Sequence, residues 1–522
     1  MAASPISASP REHPLEDRLW FRRFFYLLAA VTAVRLVYAA VFPLDLAPDE
    51  SYYWDWGRRP DWGYFSKPPM VGWLMGLAGW LGGDTQFGLK IFPVLLTSVG
   101  LTFVFLLGRA MYGVRSGFWA ALVLLATPAN AALSTFFTID PPLFAAWSAS
   151  LFFAWQWWTR PSSIGAAGAA LVVALGCGFL TKQVQLVFPL VLVVFATIHR
   201  RHLRAGDGTR LAAMIAVSLA FLTPPLWWNW KHGWITFRHT ADELEGRAWE
   251  LRRSLKFLGE FIGGQAGLSG GITWLLLVAA LFLAVRRWRT GETRERFLLL
   301  FSAPGLAAFL GLSLFQRVEQ NWPLVFYVSA AVLLAGTAMG QVQAPRWLRP
   351  WMTAGVGTGA VLGMALMILP FVLPSTPMAG TKGDPTTRLR GWRDLAAAVE
   401  RHRQELEKPT QTFLLAADDR YVASALAFYL PDRPRTYTWE RQGFPESQYG
   451  IWGRPSVAAG TDALVLVRNP MASNILEIQS CFESWQRRGE IQVLVGAAEA
   501  RNRTYSVFLG RGYRGFEPAK VP

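Results

Sequence analysis

Phe21-Arg-Arg-Phe-Phe-Tyr-Leu-Leu-Ala-Ala-Val-Thr-Ala-Val-Arg-Leu-Val-Tyr-Ala-Ala-Val-Phe-Pro43 is long and apolar enough to cross a bilayer, where a helix needs about 20 mainly apolar residues. No small-residue cleavage site follows a short apolar core, so the segment reads as an uncleaved anchor rather than a signal peptide. The same kind of run recurs at 88–108, 116–136, 141–158, 164–180, 184–198, 211–228, 272–285, 297–314, 322–340 and 351–373. The expectation is a polytopic α-helical membrane protein with about 11–13 transmembrane helices.

Composition agrees. Hydrophobic residues make up 52% of the 522 and charged residues only 16%, against about 25% charged in soluble domains. The 25 Trp and 35 Phe suit the aromatic belts at membrane–water interfaces. A formal charge of +16 would ordinarily raise nucleic acid as a partner. Here arginine falls in the short loops that set topology, so membrane lipid is the expected partner and nucleic acid is not. The two cysteines, Cys177 and Cys481, make no disulfide framework.

With the N-terminus inside, beside Arg22 and Arg23, alternate loops hold Arg109 and Arg115, then Arg160, then Arg200, Arg201, Arg204 and Arg210. Arg286, Arg287, Arg289, Arg294 and Arg296 follow, then Arg346 and Arg349. All fall on the cytoplasmic side of an eleven-span topology, as the positive-inside rule requires. Any odd number of spans places the remainder of the chain outside the cytoplasm. The expected division is a transmembrane domain over 1–379, with a catalytic first outer loop at 44–87, and a soluble periplasmic domain over 380–522. In that tail, helices are expected at Gly391–Glu400, Tyr421–Tyr429 and Ile475–Arg487, and strands at Thr412–Ala416, Ala463–Val467, Ile491–Val495 and Thr504–Leu509. Alternation of this kind makes a small α/β domain.

Five polar groups at the outer ends of the spans are candidates for chemistry. Asp49 and Glu50 follow the first span; the plain alternative is a solvated acid pair. Tyr64-Phe-Ser-Lys67-Pro-Pro lies in the same loop, ahead of an apolar stretch, Met70–Leu81, that suits a helix lying in the interface. Asp140 stands before Pro141-Pro142 between two spans. An acid at membrane depth is costly and marks a functional site by default, although Asp before Pro also fits a helix N-cap. Lys182 ends another span, where snorkelling alone would explain it. Arg317-Val-Glu319-Gln-Asn-Trp is the fifth group. Together they set acids and lysines on one side of the membrane, in loops that could converge. A carboxylate can deprotonate or orient an acceptor hydroxyl, and lysines can hold a phosphate and offset its charge as it leaves. There is no His cluster or Cys-x-x-Cys to suggest a metal. Neither Walker A nor the dinucleotide fingerprint is present, so no cofactor is expected. The donor is then a lipid-borne substrate rather than a soluble nucleotide sugar.

These residues, in this order, resemble the polyprenyl-phosphate-dependent glycosyltransferases of the protein mannosyltransferase and lipid A aminoarabinose transferase type, within the C-type superfamily of membrane glycosyltransferases. The resemblance rests on Pro48-Asp49-Glu50, Tyr64-Phe-Ser-Lys67-Pro, Gly82-Gly-Asp84 with Phe87-Gly-Leu, and Ile139-Asp140-Pro141, and covers about the first two thirds of the chain. The interval from Asp49 to Lys67 is shorter than in the lipid A enzymes. The resemblance implies inverting transfer from a polyprenyl-phosphate-linked sugar to a lipid, glycan or protein acceptor. It implies Asp49 as base or acceptor-positioning group, Glu50 and Asp140 as further acids, and Lys67, with Tyr64 and Lys182, on the donor phosphate. A lipid-linked sugar flippase or transporter is the rival reading, but transporters place coupling charges near the midplane rather than at outer ends.

Overall fold

In the computed structural model, described over residues 14–159, 165–244, 250–342, 345–417, 419–440, 445–468, 474–496 and 502–515, the protein is mostly helical with a small sheet near its C-terminus. The chain divides into two compact units. One holds the described residues within Met1–Val41, Lys90–Trp228 and Thr240–Met367; the other holds those within Phe42–Leu89, Asn229–His239 and Ile368–Pro522. The expected outer loop therefore groups with the tail and not with the spans that flank it. Arg160 lies outside the described residues.

Every expected span coincides with helix in the first unit or continues from it. Among the described residues, five helices are individually long and apolar enough to cross a membrane, or up to seven with each of two bent pairs taken as one span. The other expected spans are the Asp140–Thr159 helix and the shorter apolar helices Gly165–Phe179, Gln183–Ile198 and Leu324–Ala338. Both bends have local causes. Val114–Leu125 and Pro128–Thr135 meet at 72°; the second begins with Pro128 at its first turn and Thr127 accepting the Asn130 amide N–H, a Pro-start and side-chain cap that favour a new helix over continuation. Leu251–Ser269 and Ile272–Arg286 meet at 104° across Gly270 and Gly271, whose φ angles of 85° and 61° only glycine adopts at no steric cost. The core of this unit is aromatic. Trp147, fully buried, meets the rings of Phe188 and Phe326 edge-on, at 5.2 Å each, a geometry favoured by the ring quadrupoles.

Among the described residues of the second unit, five strands form one sheet: β1 (Phe413–Ala416), β2 (Thr436–Thr438), β3 (Ala463–Val467), β4 (Phe482–Val493) and β5 (Arg503–Tyr513), in the order β2-β1-β3-β5-β4. β1 runs parallel to both β2 and β3, while β3–β5 and β4–β5 are antiparallel. β1 and β3 are buried along their whole length, as continuous apolar runs in the parallel part of a sheet should be. The crossover from β1 to β2 carries the Arg420–Tyr429 helix, since parallel neighbours cannot be joined by a tight turn.

Two expectations for the tail are corrected. The helix expected over Ile475–Arg487 stops at Ser480, and Phe482 onward is strand β4. Pairing from Phe482↔Tyr513 through Val493↔Arg503 outweighs local helix preference, which is a weak prior against a long ladder. The three-residue strand β2 was not expected at all. The interfacial stretch is a helix, Met70–Gly82, and it packs on the Pro48–Gly57 helix through glycine. A Cβ on Gly76 would lie 2.7 Å from the Gly57 carbonyl oxygen, and one on Gly72 would lie 2.6 Å from the Tyr64 ring.

Candidate active site

The loop acids of the second unit sit in the first turn of the Pro48–Gly57 helix, where Pro48 occupies the opening position after the extended Ala47. Negative charge in that turn is favoured by the helix dipole. The two neighbours take different roles. Glu50 is fully buried, and its Oε2 accepts the Ala47 amide N–H at 2.8 Å, closing the helix start. Asp49 is half-buried, and its Oδ1 accepts a hydrogen bond from the Tyr421 hydroxyl at 3.2 Å. Tyr421 in turn accepts from Arg420 Nη2 at 3.1 Å. The Arg420 guanidinium lies 5.4 Å from the centre of the Tyr52 ring and 4.9 Å from that of Tyr421, within cation–π range. Burial first, and the Asp49 carboxylate second, push the Tyr421 phenol above its ordinary range, so at neutral pH it is a proton donor.

Tyr64 is turned into its own loop. It is fully buried, its ring stacked 4.5 Å from that of Trp56 with 14° between planes. Its hydroxyl donates to the Trp56 carbonyl and accepts the Asp61 amide N–H, both at 3.2 Å. Tyr64, expected on the donor phosphate, thus has its hydroxyl engaged by the loop backbone, as a buried phenol has to be satisfied where it lies. The Tyr64 amide N–H donates to the Lys67 carbonyl at 3.1 Å, turning the chain so that Pro68 and Pro69 lead into the Met70–Gly82 helix. The Lys67 side chain is half-buried.

Several tail residues hold this loop. Gln448 Oε1 accepts the Phe65 backbone N–H at 2.7 Å, and the Gln448 backbone N–H donates to the Tyr52 hydroxyl at 2.5 Å. Buried Asp55 accepts from the Tyr449 hydroxyl at 2.7 Å, and the Ser51 and Ser424 hydroxyls pair at 3.0 Å. Each of these partners lies in the tail, 373 or more residues from the loop residue it meets, so nothing in the loop sequence points to it.

In the first unit, Asp140 opens the Asp140–Thr159 helix, but its carboxylate does not serve as a simple cap. Oδ1 forms an ion pair with Lys182 Nζ at 3.0 Å, with side chains 10% and 11% exposed. Oδ2 accepts from Asn321 Nδ2 at 2.6 Å and, more loosely, from the Thr138 hydroxyl at 3.4 Å. Lys182, expected on the donor phosphate, thus has its charge matched by Asp140. Asn321 lies inside the outer-end run that begins at Arg317, between its charged residues and Trp322. Asp140 and Asn321 lie on the wall of a mainly apolar pocket, to which both bent helix pairs contribute, through Thr127, Asn130, Ser269 and Leu277. Asn130 is held there by Arg35, at 2.8 Å. Broken helices at membrane depth are tolerated where they line such a cavity. Among the described residues, no three His, Cys, Asp or Glu come together as a metal site.

The family described as dolichyl-phosphate-mannose-protein mannosyltransferase matches residues 66–228. A lipid A galacturonosyltransferase of Rhizobium johnstonii is 27% identical over 432 residues, 81% of this chain and 86% of its own. An undecaprenyl phosphate-alpha-4-amino-4-deoxy-L-arabinose arabinosyl transferase of Sodalis glossinidius is 28% identical over 313 residues, 52% of each chain. Among solved structures, ArnT from Cupriavidus metallidurans bound to undecaprenyl phosphate superposes on 93% of this chain and 98% of its own, with a TM-score of 0.61 at 18% identity, a likeness of fold.

Proposed function

The chain is a multi-span membrane glycosyltransferase of the polyprenyl-phosphate-dependent, C-type class, and from that premise we propose that Asp49 is the base with which it glycosylates an acceptor at the outer face of a bacterial inner membrane. The observation that carries the assignment is the split between neighbours: Glu50 is buried and caps its own helix, whereas Asp49 keeps part of its surface open. A base has to reach the proton it removes. The acceptor oxygen attacks the anomeric carbon as the bond from that carbon to the phosphate oxygen breaks. The acceptor proton passes to the Asp49 carboxylate, and the carrier departs as polyprenyl phosphate with one further negative charge. Lys67 is the cation assigned to that charge, because a fixed ammonium stabilises it most as it develops. The acceptor is a lipid, glycan or protein hydroxyl. The Rhizobium relative is named for lipid A, so lipid A heads the acceptors to be assayed.

The test uses purified protein in liposomes, a labelled polyprenyl-phosphate sugar and candidate acceptors. Asp49→Asn keeps the shape and removes proton acceptance, so turnover falls by about 10²–10⁴-fold while donor lipid still binds. Unchanged transfer in this variant would remove Asp49 from the reaction. Labelled lipid crossing the bilayer with no transfer to any acceptor would make the protein a flippase.

A further inference from the structure

We propose that Tyr421 and Arg420, both supplied by the tail, are positioning residues that aim the Asp49 carboxylate, leaving one oxygen held and the other for the acceptor. This rests on Asp49 being the base. The argument begins with local sequence. Asp419 accepts the amide N–H groups of Tyr421 and Val422, at 2.8 and 3.3 Å, and this N-cap fixes the first turn of the Arg420–Tyr429 helix. Residues 421, 424 and 428 then fall on one face at helical spacing. That face lies along the Pro48–Gly57 helix: Tyr421 meets Asp49, Ser424 meets Ser51, and Phe428 meets Trp54 edge-on at 4.9 Å. The two serines are small enough to let the helices approach closely, and the Trp54–Phe428 contact fixes their rotation. Tyr421 is therefore placed by packing along a whole helix face.

Hydrogen-bond polarity does the rest. A guanidinium only donates, so the 3.1 Å contact from Arg420 Nη2 occupies the Tyr421 oxygen as acceptor. The phenolic proton is thereby directed to Asp49 Oδ1, 3.2 Å away. Among the described residues Tyr421 is the donor to this carboxylate, and it engages Oδ1 alone. Restricting the carboxylate's rotation keeps Oδ2 oriented for an acceptor hydroxyl. Correct orientation of this kind accounts for a large share of catalytic rate in general.

A double-mutant cycle on the full chain in liposomes tests this. Tyr421→Phe keeps the ring, which packs against Tyr52 at 6.3 Å, and removes only the hydroxyl. A lost hydrogen bond to a charged group predicts about a 10-fold or larger fall in kcat, with the donor KM little changed. Arg420→Met should lower kcat in the same way and add nothing further to Tyr421→Phe. In the Asp49→Asn background, Tyr421→Phe should cost nothing more, because groups that act through one another are not additive. A double variant as slow as the product of the two single losses would overturn the inference while leaving Asp49 as base. So would a Tyr421→Phe enzyme with unchanged kcat, or one whose whole loss falls on donor KM. If Asp49→Asn itself turns over normally, the base assignment fails and this relay with it.

Discussion

Replacing Asp140 with alanine would leave the Lys182 ammonium without its partner and Asn321 without its acceptor. The size of the effect follows from burial. The pair is 3.0 Å apart and the side chains are 10% and 11% exposed, so little water is at hand to take over the lysine. Breaking a buried pair by removing one member typically costs about 3–5 kcal/mol; the residual exposure argues for the lower end, about 3 kcal/mol. Replacing both, as Asp140→Leu with Lys182→Met, removes the unpaired charge as well, and such exchanges are often near neutral. Most of the lost stability should therefore return in the double variant. The assay is the half-life of tryptophan fluorescence and solubility on heating in detergent, a rate measure suited to proteins that unfold irreversibly. Asp140→Ala as durable as the native protein, or a double variant no better than the single one, would refute the reasoning. Transfer activity then separates roles. A double variant that regains durability but not transfer places the pair in the reaction, and one that regains both makes it structural.

The apolar segments were legible because hydropathy over about 20 residues is a local property, and helix covers most of each expected segment. The acids of the first loop and Asp140 stood out for the same reason, as charge next to apolar runs. What could not be read was which atoms those charges meet. Tyr64 sits in the same short motif as Lys67, yet only the fold reveals that its ring stacks on Trp56 and its hydroxyl serves the loop backbone. Tyr421 and Asp49 are 372 residues apart, and nothing near either names the other. Arg317 and Glu319 carry the charge of the run that holds Asn321, yet it is the neutral amide that bonds Asp140. The segment before Arg487 has helical character up to Ser480; the strand beyond it exists because Tyr513 and its neighbours offer a ladder.

Two further expectations concern the tail. A phosphatase fused behind it should be active in intact cells and a cytoplasmic reporter in the same place silent, as the arginine loops require; the reverse pattern would move Asp49 and Lys67 to the wrong face. The second is a pH dependence. Asp432 accepts from Arg403 Nη1 at 2.9 Å and Nη2 at 2.5 Å, with the arginine buried and the acid 40% exposed. The hydrogen bond from Arg403, opposed by burial, holds the Asp432 carboxyl below its ordinary value. A depressed carboxylate contributes stability at pH above its unfolded value of about 3.9 and loses it as pH falls through the folded value. Solvent at the exposed acid limits the contribution to about 1 kcal/mol. Asp432→Asn should therefore be less heat-stable than the native protein in detergent at pH 7, and the gap should close below about pH 4. A gap that persists unchanged into acid would show that the loss comes from side-chain packing and not from the charge on Asp432.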